Sequence, residues 1–191
     1  MNMQTPIAKR LLVAFVIVLA VLIDQAIKMW VHTTFYIGES MPVTSWFWLC
    51  YVENNGMAFG IEWIPKILLT SSRIVAVVML AYYLHYLTSL KRHARLGYIL
   101  TIAFVTAGAL GNIVDSVFYG VLFDYAPLFY GRVIDMLYFP LIHDSAGNVL
   151  FFQPVFNVAD SYITCAVMII ILFYHNELDS NKKRMGNSSS K

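Results

Sequence analysis

Charged residues are scarce in this chain. Aspartate, glutamate, lysine and arginine make up 13% of its 191 residues, whereas a soluble globular domain carries about 25%. Hydrophobic residues make up 59%, and the mean hydropathy is +0.66. This composition argues against a soluble domain and predicts an all-α membrane protein. We expect a single membrane-embedded domain over residues 1–175, followed by a polar, disordered tail over residues 176–191.

Cysteine is also rare, with only Cys50 and Cys165. Two cysteines argue against a disulfide framework or a cysteine-based metal site, and we expect Cys165, inside an apolar run, to be a small core residue. The five histidines lack the spacing of metal ligands, and no G-x-S-x-G motif or phosphate-binding glycine loop is present. We therefore predict no metal and no cofactor. The basic clusters only flank apolar runs, so we expect no nucleic-acid partner.

Four apolar runs are long enough to cross a bilayer, which takes about 20 residues each. They cover approximately residues 11–30, 67–87, 96–118 and 155–174. Nine of the 13 lysines and arginines lie before the first run, between the second and third, or after the fourth. Positive charge marks the cytoplasmic side of a membrane protein. Both termini are therefore predicted to be cytoplasmic, with loops 31–66 and 119–154 on the outer side.

The two outer loops differ in character. Residues 41–52 are rich in aromatic and β-branched residues and predict a small β-sheet on the membrane surface. Asn54-Asn55-Gly56 then predicts a turn, whose amides can hold a peptide backbone and whose glycine permits close approach. The second loop interleaves proline and glycine with aromatic residues. We expect it to be an ordered but irregular surface loop that covers a site.

Two aspartates at the edges of the apolar runs carry the strongest functional signal. Asp135 stands in Val133-Ile134-Asp135-Met136, and Asp160 follows Asn157 by three residues. A carboxylate buried in or beside hydrocarbon is energetically costly, so such an acid is a candidate functional residue. Two neighbouring acids would share one proton, because both cannot ionise cheaply. Such a pair can activate a water molecule for hydrolysis of a peptide bond.

Further polar residues lie within the apolar runs. Asp24 and Lys28 have the favourable spacing and order for a pair on one helix, and we expect a structural ion pair. Asn112 and Asp115 share one face of the third run, and we assign Asp115 mainly to interhelical hydrogen bonding. Gly108 and its small neighbours would let another helix approach closely.

Five blocks of the sequence, taken in order, resemble the lipoprotein signal peptidases, also called signal peptidase II. Each block alone is a weak signal, but all five in this order on four apolar runs form a specific match. The blocks are Asp24-Gln25-Ala26-Ile27-Lys28, Asn54-Asn55-Gly56-Met57-Ala58-Phe59, residues 108–115, Val133-Ile134-Asp135-Met136 and Phe156-Asn157-Val158-Ala159-Asp160.

The resemblance implies a bacterial inner-membrane aspartic endopeptidase with four transmembrane helices. It would remove the signal peptide from a prolipoprotein, just before a cysteine that already carries diacylglyceryl. Asp135 and Asp160 match the family's catalytic acids. The positions that match or support the rest of the site are Asn54, Gly56, Gly108, Asn112, Asp115, Asn157, Ala159, Asp24 and Lys28.

The implied partners are the prolipoprotein, membrane lipids and globomycin-type cyclic peptide inhibitors, and we expect a monomer. The active site should lie at the outer face of the membrane, where one acid is ionised and the other protonated. Which of the two holds the proton stays open, because such a pair titrates as a unit. We expect the amides of Asn54, Asn112 and Asn157 to hold the substrate backbone.

The sequence departs from the family pattern at three points. Ile27 stands where the family usually has serine or threonine, and Ser116 stands where it usually has arginine. Another contact must therefore replace that arginine. The usual spacing after Asp115 would place the first catalytic acid near Asp124. We choose Asp135 because its neighbours match the family, and surface loops tolerate insertions.

Other functions remain open from the residues alone. A proton- or ion-coupled transporter would use intramembrane Asp24, Asp115 and Asp160 as relay sites, although the chain shows no inverted repeat. A non-catalytic membrane scaffold would tolerate asparagine at both acids. A metal-dependent hydrolase would need Asp124 together with Asp135 and Asp160.

Overall fold

The computed structural model describes residues 5–56, 65–89, 94–143, 149–151 and 154–177. From residue 178 onward, the expected disordered tail lies outside the described residues. The helices are α1 (Pro6–Thr34), α2 (Lys66–Leu87), α3 (Leu96–Val114), α4 (Gly120–Leu122) and α5 (Val158–Phe173). A π-helical turn over Asp115–Tyr119 joins α3 to α4, so that one helical segment runs over Leu96–Leu122.

Three helical segments are long and apolar enough to cross a membrane, namely Pro6–Thr34, Lys66–Leu87 and Leu96–Leu122. Helix α5 is also apolar, but its 16 residues fall short of the roughly 20 that a perpendicular span requires. Large apolar side chains on α1, α2 and α5 are exposed, as expected of surfaces that face lipid. The fold is therefore that of a multi-pass membrane protein, and the four-span count stays a prediction.

Three strands form a small antiparallel sheet beside the helices. They are β1 (Ser40–Pro42), β2 (Trp48–Asn54) and β3 (Val133–Tyr138), in the order β1-β2-β3. The sheet predicted from the first outer loop is thus present, but its third strand comes from the second outer loop. The expectation that this second loop is irregular was wrong for β3. The pattern Val133-Ile134-Asp135-Met136-Leu137 is apolar on both faces, and four of these residues are buried against the helices and the neighbouring strand.

A second, two-stranded sheet pairs β4 (Ile142–His143) with β5 (Val149–Phe151). After β5, the chain returns to β3, where Phe156 forms backbone hydrogen bonds with Leu137 in both directions. This extended segment explains why α5 begins at Val158 and not near residue 155 as predicted. Asn157 caps the helix, and its side chain and that of Asp160 form a reciprocal capping box.

Two apolar clusters lie at opposite ends of the bundle. One joins α1, α2, α3 and α5 through Val13, Leu84, Leu87, Tyr98, Ile99, Ile102, Ala103 and Ile170. The other joins α1 to the sheet through Val31, Phe35, Tyr51, Tyr119, Ile134 and Met136. Helix α3 packs against α1, α2 and α5, so it is the central element. Cys165, expected in the core, is instead exposed on α5.

Close contact between α3 and α5 depends on Gly108. A Cβ atom at this position would overlap the carbonyl oxygen of Ala159 and lie 2.7 Å from Cγ1 of Ile163. Neither contact is tolerable without movement of α5, because one of the two partners is backbone. The small residues of the third run therefore do permit the close helix approach that the sequence predicts.

We expect Gly108→Ala to lower the free energy of unfolding by about 1–3 kcal/mol, the usual cost of adding a group to a filled interior. Thermal unfolding in detergent measures the effect. Ala81→Val, at an exposed position of α2, is the matched control and should stay within about 0.5 kcal/mol of wild type. Equal stability of Gly108→Ala and wild type would contradict the close packing of α3 and α5.

Candidate active site

The sheet places Asp135 beside the beginning of helix α5. Asp135 pairs in register with Val52 of β2, and the next two residues of β3 donate backbone hydrogen bonds to the carbonyl of Phe156. The residue after Phe156 is Asn157, the cap of α5. The carboxyl group of Asp135 is therefore held next to the helix that carries Asp160, and it is only 2% exposed.

Two asparagine amides hold the carboxyl group of Asp135, one at each oxygen. Nδ2 of Asn54 donates to Oδ2 at 2.9 Å, and Nδ2 of Asn157 donates to Oδ1 at 2.7 Å. The orientation of the Asn54 amide is itself fixed, because its Oδ1 accepts a hydrogen bond from the backbone N–H of Gly56 at 2.7 Å. The predicted turn at residues 54–56 thus orients one of the two donors.

Asp160 occupies the first turn of α5. Its backbone N–H donates to Oδ1 of Asn157 at 2.9 Å, which completes the cap. Its own carboxyl Oδ1 accepts a hydrogen bond of 2.8 Å from Nδ2 of Asn112 on α3. Asn157 in turn donates to Oδ1 of Asn112 at 3.1 Å. The two carboxyl groups are therefore joined through Asn157 and Asn112, which form a continuous hydrogen-bonded chain.

Asp135 and Asp160 line the same polar cavity, which has a volume of about 160 Å³. The other lining residues are Asn54, Gly56, Arg73, Asn112 and Val133. Burial, together with a smaller effect of the negative charge of Asp160, raises the pKa of Asp135 to about 7, although the hydrogen bonds from Asn54 and Asn157 oppose the shift. A carboxyl group with a pKa near 7 can exchange protons efficiently at neutral pH.

Asp124 lies outside this cavity. It is exposed, with a positive φ of 56°, in the turn that follows α4. The structure thus brings Asp135, and not Asp124, to the cavity that contains Asp160. It also brings Asn54, Gly56 and Asn112 to this cavity and the amide of Asn157 to the carboxyl group of Asp135. The other residues that the family resemblance implies do not line the cavity.

A buried ion cluster lies next to the cavity and is joined to it through Asn112. Lys28 is fully buried, and its Nζ lies 2.9 Å from Oδ2 of Asp24 and 2.6 Å from Oδ2 of Asp115. The same Nζ donates to Oδ1 of Asn112 at 3.0 Å. The predicted ion pair of Asp24 and Lys28 is therefore present, and Asp115 is a second anion in it, which the prediction of interhelical hydrogen bonding alone did not include.

The cluster also fixes the beginning of α5. Oδ1 of Asp24 accepts a hydrogen bond of 2.9 Å from the backbone N–H of Ala159, one of the amides that a helix cannot satisfy internally. Ala159 is fully buried, which explains why a small residue stands there. Asp24 thus connects α1 to the turn that carries Asp160.

Sequence reasoning missed two residues of this cluster. Nε2 of Gln25 donates to Oδ1 of Asp115 at 2.8 Å, and Oε1 of Gln25 accepts a hydrogen bond from the hydroxyl of Tyr119 at 3.0 Å. A glutamine inside an apolar run is an unusual residue and was a usable signal. Tyr119 gave no signal, because an aromatic residue near a span end is typical of any membrane protein.

Arg73 is the third residue that sequence reasoning did not assign to the site. It extends from α2 into the cavity, where Nη1 donates to Oγ of Ser116 and Nη2 donates to the carbonyl of Gly56, both at 3.0 Å. Position 116, where the family usually has arginine, is thus contacted by an arginine from α2. Its signal in the sequence was a single cation in the middle of an apolar run.

An apolar helical bundle with two carboxyl groups in one polar cavity has the architecture of a membrane-embedded hydrolase. Residues 16–175 match the family described as "Signal peptidase (SPase) II". The chain belongs to the signal peptidase II family, and it is therefore a membrane protease.

Curated relatives agree with this assignment. A "Lipoprotein signal peptidase" of Porphyromonas gingivalis is 40% identical over 186 residues, which cover 85% of this chain and 82% of the relative. A "Lipoprotein signal peptidase" of Amoebophilus asiaticus is 37% identical over 177 residues, which cover 81% of this chain and 73% of the relative.

Solved structures share the fold. A bacterial membrane enzyme solved by the in meso method at 2.3 Å resolution superposes with a TM-score of 0.65 and 26% identity, covering 88% of this chain and 90% of that one. A second such enzyme, at 1.9 Å resolution, gives a TM-score of 0.63 and 28% identity, covering 84% of this chain and 90% of that one. The helices and the small sheet thus follow an architecture known from experiment.

We expect Lys28→Met to destabilise the protein by about 3–5 kcal/mol, because it leaves two buried carboxylates without their cation. Thermal unfolding in detergent is the measurement. Adding Asp115→Asn to Lys28→Met removes one of the two charges, so the double variant should recover part of the loss. Unfolding of Lys28→Met at the wild-type temperature would show that the ion cluster does not hold the bundle together.

Proposed function

We propose that this protease removes the signal peptide from prolipoproteins, just before a cysteine that carries diacylglyceryl, with Asp135 and Asp160 as its catalytic pair. Family membership supports the reaction and the substrate class. The observation that carries the choice of residues is the shared cavity, in which both carboxyl groups are joined through Asn112 and Asn157. Membership of a peptidase family does not support the transporter alternative.

The raised pKa of Asp135 assigns it the shared proton in this proposal. Asp160 takes one proton from a water molecule while the water oxygen attacks the carbonyl carbon of the scissile bond. Asp135 donates its proton to the carbonyl oxygen, which gives a neutral tetrahedral intermediate. The intermediate then collapses as a proton passes from Asp160 to the leaving nitrogen, the C–N bond breaks, and Asp135 recovers its proton from the hydroxyl group.

The asparagines have a different role from the one expected from the sequence. Their amide groups bind the two acids and the backbone that carries them, so Asn54, Asn112 and Asn157 act as positioning residues for the catalytic pair. These bonds fix the directions of the two carboxyl groups. Reaction with a water molecule and a peptide requires each carboxyl group to be positioned to within a few tenths of an ångström.

The lipid-bearing end of the substrate would lie in an apolar groove between α3 and α5. This groove has a volume of about 460 Å³ and is lined by residues that include Phe104, Tyr162 and Ala166. It begins at Ser161, the residue after Asp160. An acyl chain in this groove would hold the adjacent cysteine near the catalytic pair and reduce the entropic barrier.

Position in the cell follows from the same proposal. We place the chain in the bacterial inner membrane as a monomer, with both termini in the cytoplasm and the small sheet at the outer face, where translocated precursors arrive. The distribution of lysine and arginine supports this orientation. A globomycin-type cyclic peptide would inhibit the enzyme by occupying the cavity of the two acids.

A metal-dependent mechanism is less well supported. It would require Asp124 beside Asp135 and Asp160, but Asp124 lies outside their cavity. Within the part of the chain that the structure describes, no three His, Cys, Asp or Glu side chains come together as ligands for a metal ion.

The catalytic pair is tested by Asp135→Asn and Asp160→Asn, which keep the size of each side chain and remove its proton chemistry. We expect each variant to lose at least about 10³-fold in cleavage of a diacylglyceryl-modified precursor, since both general acid and base are needed. Processing by purified enzyme in detergent micelles is the measurement.

Asp124→Asn is the matched control for this test and should cleave at the wild-type rate. Loss of cleavage in Asp124→Asn with activity retained in Asp135→Asn would reverse the choice between the two acids. Thermal unfolding of all three variants separates a loss of chemistry from a loss of folding.

The pH dependence of cleavage tests the role of Asp135 as the acid. Because its pKa lies at about 7, the protonated form required for proton donation disappears as the pH rises above 7. We expect the cleavage rate to fall on that side of the profile, with a slope of one proton. A rate that stays constant from pH 7 to pH 9 would exclude Asp135 as the general acid.

Stability offers a second readout of the same pKa. Asp135 is protonated in the folded chain and ionised in the unfolded chain between about pH 4 and pH 7, so wild type loses stability as the pH rises through this interval. Asp135→Asn cannot ionise. Its melting temperature relative to wild type should therefore increase from pH 4 to pH 7 and level off above it.

A further inference from the structure

Arg73 is an isolated cation in an otherwise apolar helix. Lys66, at the beginning of α2, is the only other lysine, arginine or acid among its 22 residues. Placing an arginine at membrane depth is costly, so such residues face a protein interior or a polar cavity and serve a function. Arg73 is half-buried and lines the cavity of Asp135 and Asp160.

The guanidinium group is fixed at both of its terminal nitrogens. Nη1 donates to Oγ of Ser116, which itself donates to the carbonyl of Asn112 at 2.8 Å, and Nη2 donates to the carbonyl of Gly56. One turn earlier on α2, Oγ1 of Thr70 donates to the carbonyl of Phe129 at 3.0 Å. These contacts fix α2 and the direction of its arginine relative to the site.

Gly56 leaves the space that the guanidinium group occupies. A Cβ atom at Gly56 would lie 2.7 Å from Nη2 and 2.8 Å from Nη1 of Arg73. The backbone of Gly56 also has a φ of 80°, which residues with a side chain rarely adopt. Only glycine therefore permits both the turn that orients Asn54 and the approach of Arg73.

Arg73 forms no ion pair among the described residues, because the four ion pairs found there do not include it. A guanidinium group has five N–H donors, and the described acceptors take two of them. The remaining donors of this guanidinium group have no partner among the described residues, and the group lines the cavity of the two acids.

We propose that Arg73 is a substrate-positioning residue, whose guanidinium group binds a backbone carbonyl oxygen of the signal peptide next to the scissile bond. This inference rests on the proposed catalytic pair. A peptide that enters the cavity leaves water, so its carbonyl groups need new donors, and hydrogen bonds from a charged donor are stronger than those from an amide.

Ser116 agrees with this role. It stands where the family pattern has arginine, and the hydroxyl of this serine accepts a hydrogen bond from Arg73. The guanidinium group that lines the cavity of this chain comes from α2. Ser116 is fully buried. Its small side chain leaves room for the side chain of Arg73, which comes from α2.

The test compares Arg73→Lys and Arg73→Gln with wild type on a diacylglyceryl-modified precursor peptide. Lysine keeps the charge but not the planar arrangement of donors, and glutamine loses the charge. Loss of a charged hydrogen bond to substrate predicts a rise in KM of roughly tenfold for lysine and up to roughly a hundredfold for glutamine, with kcat within about threefold of wild type.

Ser72→Ala is the matched control. Its hydroxyl is exposed and bonds only within α2 to the carbonyl of Leu69, so its KM and kcat should stay at wild-type values. Binding of the same peptide to Asp160→Asn, with and without Arg73→Lys, measures affinity without turnover and should show the same tenfold weakening.

Three results would overturn the proposal. An unchanged KM with a fall in kcat would show that Arg73 stabilises the transition state and does not bind the substrate in the ground state. A shifted pH profile at unchanged KM would show that it tunes the acids. A lower melting temperature of Arg73→Lys, together with wild-type peptide affinity, would show that Arg73 only stabilises the fold. Cleavage by Asp135→Asn would instead reject the catalytic pair, whatever the result for Arg73.

Discussion

The buried cation of Lys28 is the interaction on which the rest of the structure depends. A single ammonium group meets Asp24 of its own helix, Asp115 at the end of α3, and the amide of Asn112. Each of these charges would be prohibitive alone at this depth. Together they fix the relative positions of α1 and α3. Through the bond from Asp24 to the N–H of Ala159, they also fix the beginning of α5.

The cavity of Asp135 and Asp160 is built outward from that cluster. Asn112 accepts from Lys28 and donates to Asp160, so the ion cluster and the proposed catalytic pair share one amide. On the opposite side, the sheet supplies Asp135, since β3 pairs with β2 and with the segment before Asn157. Rigid elements on both sides thus determine the directions of the two carboxyl groups, which is what preorganised chemistry requires.

Much of the candidate site could be predicted from the sequence because polar residues stand out in apolar surroundings. Asp24, Lys28, Asn112 and Asp160 were visible for that reason, and local matches to the family pattern separated Asp135 from Asp124. Arg73 and Gln25 are also polar residues in apolar runs, but neither was assigned a functional role from the sequence. The strand β3 escaped prediction because its apolar residues lie between prolines and glycines and its partner strand β2 is more than 70 residues away in the chain.

The roles of the asparagines also required the structure. An amide beside an acid can bind either the acid or a substrate, and composition does not distinguish the two. The bonds from Asn54 and Asn157 to the two oxygens of Asp135 support a role in holding the acid. In the proposal, the guanidinium group of Arg73 then supplies the donors for the peptide.

By itself, the sequence determined that the chain is a membrane protein with acids within its apolar runs, because hydropathy and charge are local properties of the residues. It did not determine that Asp135, expected at the edge of a run, lies on a strand. It also determined the family, since five short blocks in a fixed order are a local pattern. Only the tertiary structure decided which acids share a cavity, which amides hold them, and that an arginine from α2 contacts Ser116 and lines that cavity. Those facts depend on distances between residues remote in the chain, and distances are set by packing around the buried lysine.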